Sequence, residues 1–186
     1  MELPPFFAAR GIWYTINMVI YVIGYIGSDR MTAARAASEE YGVPLYDLAA
    51  EIEQRDGRTI RRMVITMGEH ELRNKEYEAL TAILKECGEP CGTVSAVVCC
   101  TDDLILDPMS TVLVRAGKVI VADDPAAADC SEEAILDEMF ERAIKQAPDD
   151  QSLHYAFLLD PDRAAAREKF RKLYEHRRPL YDSFRK

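Results

Sequence analysis

Residues 24–32 read Gly-Tyr-Ile-Gly-Ser-Asp-Arg-Met-Thr, between an apolar run, Met18 to Ile23, and an alanine-rich run, Thr32 to Ser38. A strand, a glycine-bearing loop and a helix in that order frame a phosphate-binding loop, where backbone N–H groups and a helix N-terminus hold an anion. The pattern that grips nucleotide phosphates is G-x-x-x-x-G-K-[ST]. Gly24 opens such a frame, but Asp29 stands at the late glycine, Arg30 at the lysine and Met31 at the hydroxyl. A carboxylate at the loop tip repels phosphate, and the broad guanidinium fork does not reproduce a compact ammonium. Gly24, Gly27, Arg30 and Thr32, whose hydroxyl comes one residue late, are thus the candidate residues of a vestigial phosphate loop.

The elements that would position this loop follow from periodicity and punctuation. Short apolar runs at Met18–Ile23, Val94–Cys100 and Val119–Ala122 read as buried strands. Helix-like segments separate them: Thr32–Tyr41 stopped by Gly42, Asp47–Asp56 stopped by Gly57, and Gly68–Glu86 with an apolar stripe through Leu72, Leu80 and Ile83. Two more follow, from Ser131 to Gln146 behind a serine cap and an acidic first turn, and from Arg163 to Arg177. Strands alternating with helices predict an α/β fold, a three-layer sandwich with a central parallel sheet and helices on both faces.

The 186 residues suffice for one domain, placed at 18–186, with residues 1–17 as an N-terminal extension. A net charge of −9 argues against a nucleic-acid partner. Residues 163–186 carry nine Lys/Arg against three Asp/Glu, which leaves the rest of the chain at −15. Gly11 to Gly27 is uncharged, but it is short for a membrane span, and Glu2 and two prolines precede it instead of a basic leader. Five cysteines without a metal-ligand pattern read as structural thiols, Cys99 and Cys100 buried and Cys87–Cys91 as a lone C-x₃-C. No metal site, no membrane and a cytoplasmic location are expected.

The segments after the loop carry a family resemblance. Leu45-Tyr-Asp-Leu-Ala-Ala-Glu-Ile-Glu53, Gly57-Arg-Thr-Ile60, Gly68-Glu-His-Glu-Leu-Arg73-Asn-Lys-Glu76 and Arg177-Arg-Pro-Leu-Tyr181 occur in order. The chain resembles the shikimate kinases, whose pattern after the phosphate loop is D-x-D-x-x-I-E, G-x-x-I, G-E-x-x-F-R-x-x-E and R-x-P-L-Y. The resemblance spans about Met18 to Tyr181 and implies a P-loop kinase fold. It implies that Arg73 and Arg177 hold the carboxylate of shikimate, as two converging guanidinium forks would, and that Asp47 is the family's first aspartate, near the metal. The local alternative for Arg73 is a helical pair with Glu69 or Glu76.

Other positions depart from the family pattern. The second aspartate, which contacts sugar hydroxyls, becomes Ala49. The glycine triplet after the central strand becomes part of Cys99-Cys-Thr-Asp-Asp103, and the lid arginine is absent from Ala156-Phe-Leu-Leu159. The chain stops five residues after Tyr181, a C-terminal truncation relative to the family. The reading this favours is a catalytically degenerate shikimate kinase homologue, a pseudokinase with no cofactor. It keeps a partial pocket for a small carboxylate such as shikimate and has a binding or regulatory role, with a protein partner as a further option. One alternative is an active ATP:shikimate 3-phosphotransferase of aromatic amino acid biosynthesis, using Mg-ATP with Asp47 and Arg30 in catalysis. Another is a pure interaction module.

Overall fold

The computed structural model describes residues 18–87, 93–122 and 131–185. The proposed extension at 1–17, and Cys91 of the C-x₃-C pair, lie outside them. Four parallel strands form one sheet in the order β2-β3-β1-β4: β1 Met18–Ile23, β2 Leu45–Asp47, β3 Val94–Cys99 and β4 Lys118–Val121. Flanked on both edges, β1 is apolar throughout, as a strand covered on both faces must be. Its side chains alternate between two cores. Ile20 and Val22 meet Val97, Cys99 and the alanines Ala34 and Ala37 of α1 (Arg30–Tyr41). Val19, Tyr21 and Ile23 join the larger core on the opposite face.

That larger core is closed by α2 (Leu48–Asp56), α3 (Ile60–Met67), α4 (Glu69–Glu86), α5 (Pro108–Arg115), α6 (Glu132–Gln146) and α7 (Arg163–Asp182). Local chemistry sets most helix starts. Asp29, Asp47, Thr59, Asp107, Ser131 and Asp162 each accept a hydrogen bond from the first turn. The expected α2 began at Asp47; instead Asp47 ends a three-residue strand and caps the helix after it. Neither α3 nor α5 was expected from the sequence. The last helix runs past Arg177 through Pro179 to Asp182, where the sequence reading stopped at Arg177. None of the helices among the described residues is long and apolar enough to cross a membrane.

The strand order puts the topological switch between β1 and β3, because the chain leaves β1 toward one edge of the sheet and β3 toward the other. In open parallel sheets, the crevice beyond the carboxyl ends at such a switch is where ligands sit. The loop after β1 (24–29) and the turn after β3 (100–103) meet there.

Candidate functional site

The loop after β1 is folded tightly. Ser28 donates from its backbone N–H (3.0 Å) and its hydroxyl (2.6 Å) to the Tyr25 carbonyl, and Tyr25 and Ile26 are buried. Gly27 has φ +77°, and a Cβ there would collide with the Met139 carbonyl oxygen of α6. Arg142 of α6 donates to the Gly27 carbonyl at 2.9 Å. Gly27→Ala is therefore expected to destabilise the fold by about 1–3 kcal/mol in urea unfolding. A variant as stable as the parent would show that α6 yields at no cost.

At the head of α1 the anion is the chain's own. The Asp29 carboxylate accepts from the Thr32 N–H at 3.3 Å, which places negative charge on the positive end of the helix. The Thr32 side chain is exposed. Arg30 turns inward, its side chain 14% exposed, donates to the Gly24 carbonyl at 3.3 Å and lies 3.6 Å from Asp102 Oδ1. Gly24, Arg30 and the turn after β3 are thereby one structure.

That turn carries two consecutive buried acids, Asp102 and Asp103. Arg177 Nη1 lies 2.6 Å from Asp103 Oδ1 and donates to the Tyr155 hydroxyl at 2.7 Å. The Tyr155 hydroxyl stands 2.6 Å from Asp102 Oδ2 and 2.5 Å from Asp103 Oδ1, so its single proton serves one carboxylate at a time. His154 stacks on Tyr155 at 4.3 Å, and its Nε2 lies 3.4 Å from Asp103 Oδ2. Tyr181 closes the back by donating to the Asp102 carbonyl at 2.7 Å. Burial opposes the Asp103 anion, yet His154 and Arg177 beside it hold its pKa down to about 2. His154 is raised even though burial opposes its charge, through Asp103 and Asp102.

Glu76 is fully buried on α4 and accepts from the Thr101 hydroxyl. Burial dominates its titration and pushes it up to about 8, with Asp103 and Asp102 adding to the rise. Its other oxygen, Oε2, has no hydrogen-bond partner among the described residues. One turn earlier, Arg73 pairs with Glu69 at 3.5 Å, the local helical alternative, while its Nε is buried without a partner among the described residues.

Of the candidate residues, the fold thus joins Gly24 and Arg30 to the cluster around Arg177. Asp47 caps α2, with Oδ1 accepting from the Ala49 N–H at 3.1 Å. Arg177 is engaged by Asp103, not by neighbouring Glu175, which pairs with Arg171. His154, Tyr155, Asp102, Asp103 and Glu76 join the candidate set only through the fold. The one local signal was a pair of acids directly after a buried strand, where exposed loop residues are usual. No group of three or more His, Cys, Asp or Glu suited to a metal ion occurs among the described residues.

Three comparisons with known proteins agree. A family model described as shikimate kinase matches residues 27–186. The chain is similar to the bifunctional shikimate kinase/3-dehydroquinate synthase of Thermotoga maritima, 24% identical over 91% of this chain and 28% of that protein. It is similar to the shikimate kinase of Bacillus cytotoxicus, 36% identical over 34% of this chain and 39% of that one. It therefore spans well under half the length of these two relatives. The shikimate kinase of Phocaeicola vulgatus is 27% identical over 69% of this chain and 79% of its own length. Among solved structures, the shikimate kinase from Acinetobacter baumannii in complex with shikimate has the same fold, with TM-score 0.63 at 22% identity over 89% of this chain and 79% of that one. With the family model matching from the loop after β1 to the end of the chain, this protein belongs to the shikimate kinase family.

Proposed function

We propose that this family member binds and does not transfer phosphate. The observation that carries the reading is that a carboxylate of the chain stands against each of the two groups to which the resemblance assigns a ligand anion. Asp29 sits at the N-terminus of α1, where the loop would hold phosphate, and Asp103 sits against Arg177, which in the family pattern meets the carboxylate of shikimate. Phosphoryl transfer is mostly positioning and charge neutralisation. Here the residue in the lysine position is turned onto Asp102, and the capping acid adds negative charge where phosphates would arrive. The ligand class this leaves is a small carboxylate such as shikimate at the Arg177 end, or a protein partner.

The active-enzyme reading has two observations in its favour. Arg30 keeps a cation at the junction of loop and helix, and Asp47 stays at the carboxyl end of β2, with Mg-ATP as the cofactor that reading requires. The experiment is a coupled assay with shikimate and Mg-ATP beside separate calorimetric titrations. Turnover is expected to be undetectable and Mg-ATP affinity no tighter than about millimolar. The triple variant Asp29→Gly, Arg30→Lys, Met31→Ser is expected to gain nucleotide affinity. Parent turnover at an ordinary kinase rate of about 1–100 s⁻¹ would replace this reading with the enzymatic one.

A further inference from the structure

Asp103 is held in its place against Arg177 from several sides. Tyr181 fixes the backbone of its turn through the Asp102 carbonyl, Tyr155 bridges the two acids, and His154 lies against Oδ2. Both partners of the ion pair are nearly sealed, with side chains 7% (Arg177) and 2% (Asp103) exposed. A carboxylate fixed in this way meets the guanidinium without the translational and rotational loss that a free ligand bears. Beside the pair, Glu76 Oε2 is buried with no hydrogen-bond partner among the described residues. A buried polar atom left in this way is one that a water or a polar ligand can complete.

From this we infer that Asp103 is an internal competitor, a carboxylate of the chain that occupies Arg177 and must leave it before a small external carboxylate can bind there. The inference rests on the binding reading above, in that it takes Arg177 to face the ligand cleft. It adds that affinity is set by the Asp103–Arg177 contact and not only by which ligand-facing groups remain. Asp103 thereby sets the specificity of the pocket: a ligand lacking a carboxylate has no reason to displace it, and one bearing a carboxylate must outcompete it.

Calorimetry with shikimate as the probe, at fixed ionic strength, tests this on the parent, Asp103→Asn and the double variant Asp103→Asn/Arg177→Ala. Asparagine keeps the size of the side chain and an oxygen for Tyr155 but removes the charge that holds Arg177. Asp103→Asn is expected to bind about tenfold or more tighter than the parent, the worth of one charged hydrogen bond. The double variant should lose that gain. Equal affinity of parent and Asp103→Asn overturns the inference, and so does a gain that survives Arg177→Ala. Should Asp103→Asn not fold, the parent decides by NMR of the Arg177 side chain. Its resonance is expected to move only at millimolar shikimate, and a shift complete at micromolar shikimate overturns the competitor. Parent turnover in the coupled assay would overturn the binding reading while leaving this comparison of affinities intact, so the two failures are distinguishable.

Discussion

Arg177→Ala is expected to destabilise the protein by about 3–5 kcal/mol, because it strands a buried charge and does not merely remove a contact. Asp103 keeps its anion against burial through His154, Arg177 and the Tyr155 hydroxyl, and the truncation removes the one full positive charge at its Oδ1. An exposed pair such as Arg163–Glu141, with side chains 57% and 63% exposed, should cost no more than about 1 kcal/mol when broken. Removing the charge of the partner too, in Arg177→Ala/Asp103→Asn, should recover a large part of the loss, since the penalty belongs to the unpaired carboxylate. Urea unfolding at neutral pH measures all three variants. A loss under about 1 kcal/mol for Arg177→Ala would mean that the pair is hydrated and contributes as a surface pair does.

Glu76 should make the protein lose stability as pH rises, the reverse of the usual carboxylate effect. Its folded pKa, about 8, lies above the ordinary value of 4.5, so between those limits the folded protein holds a proton that the unfolded chain has released. The contribution is complete below about pH 4.5 and is lost as pH climbs through 8. Across that window each pH step of one costs about 1.4 kcal/mol, so the whole fall amounts to about 4–5 kcal/mol. His154, also raised, acts in the same direction, while Asp103, held near 2, contributes stability that disappears only in strong acid. Glu76→Gln isolates the effect, since the amide cannot ionise and still accepts from Thr101. Unfolding at pH 5.5 and pH 8.5 should show a steep fall for the parent and a shallow one for the variant, with the variant the more stable at pH 8.5. Parallel curves for the two proteins would mean that Glu76 is ionised in the fold and has found a compensating charge.

How much could be read from the chain depended on the range of the interaction. β1 was legible to the residue, because six consecutive apolar residues before a glycine leave few alternatives. Helices α4 and α6 were legible to within a residue, through a long apolar stripe and a serine cap. β2 was not, since three residues carry no period and only pairing with β3 makes them a strand. Helix α5 hid behind Val112 and Val114, β-branched residues that argue for a strand, although Asp107-Pro108 is a proper helix start. The altered loop was visible in Asp29 and Arg30, but their tasks were not. That Asp29 caps α1 is local, whereas the turn of Arg30 toward Asp102 depends on the order of the sheet. The Asp103–Arg177 contact joins the turn after β3 to the last helix, and no spacing rule reaches so far.

Arg61 carries a consequence for motion. Its guanidinium on α3 donates to the carbonyls of Ala147 (2.6 Å), Asp150 (2.9 Å) and Leu153 (2.8 Å), and its backbone N–H donates to Gln151 at 3.0 Å. The stretch held in this way leads straight into His154 and Tyr155. Because these four bonds converge on one residue, Arg61→Ala is expected to release them together and to raise amide hydrogen exchange across 147–153 as a block. Arg61, which touches neither acid, thereby braces the backbone that carries His154 and Tyr155 against Asp103.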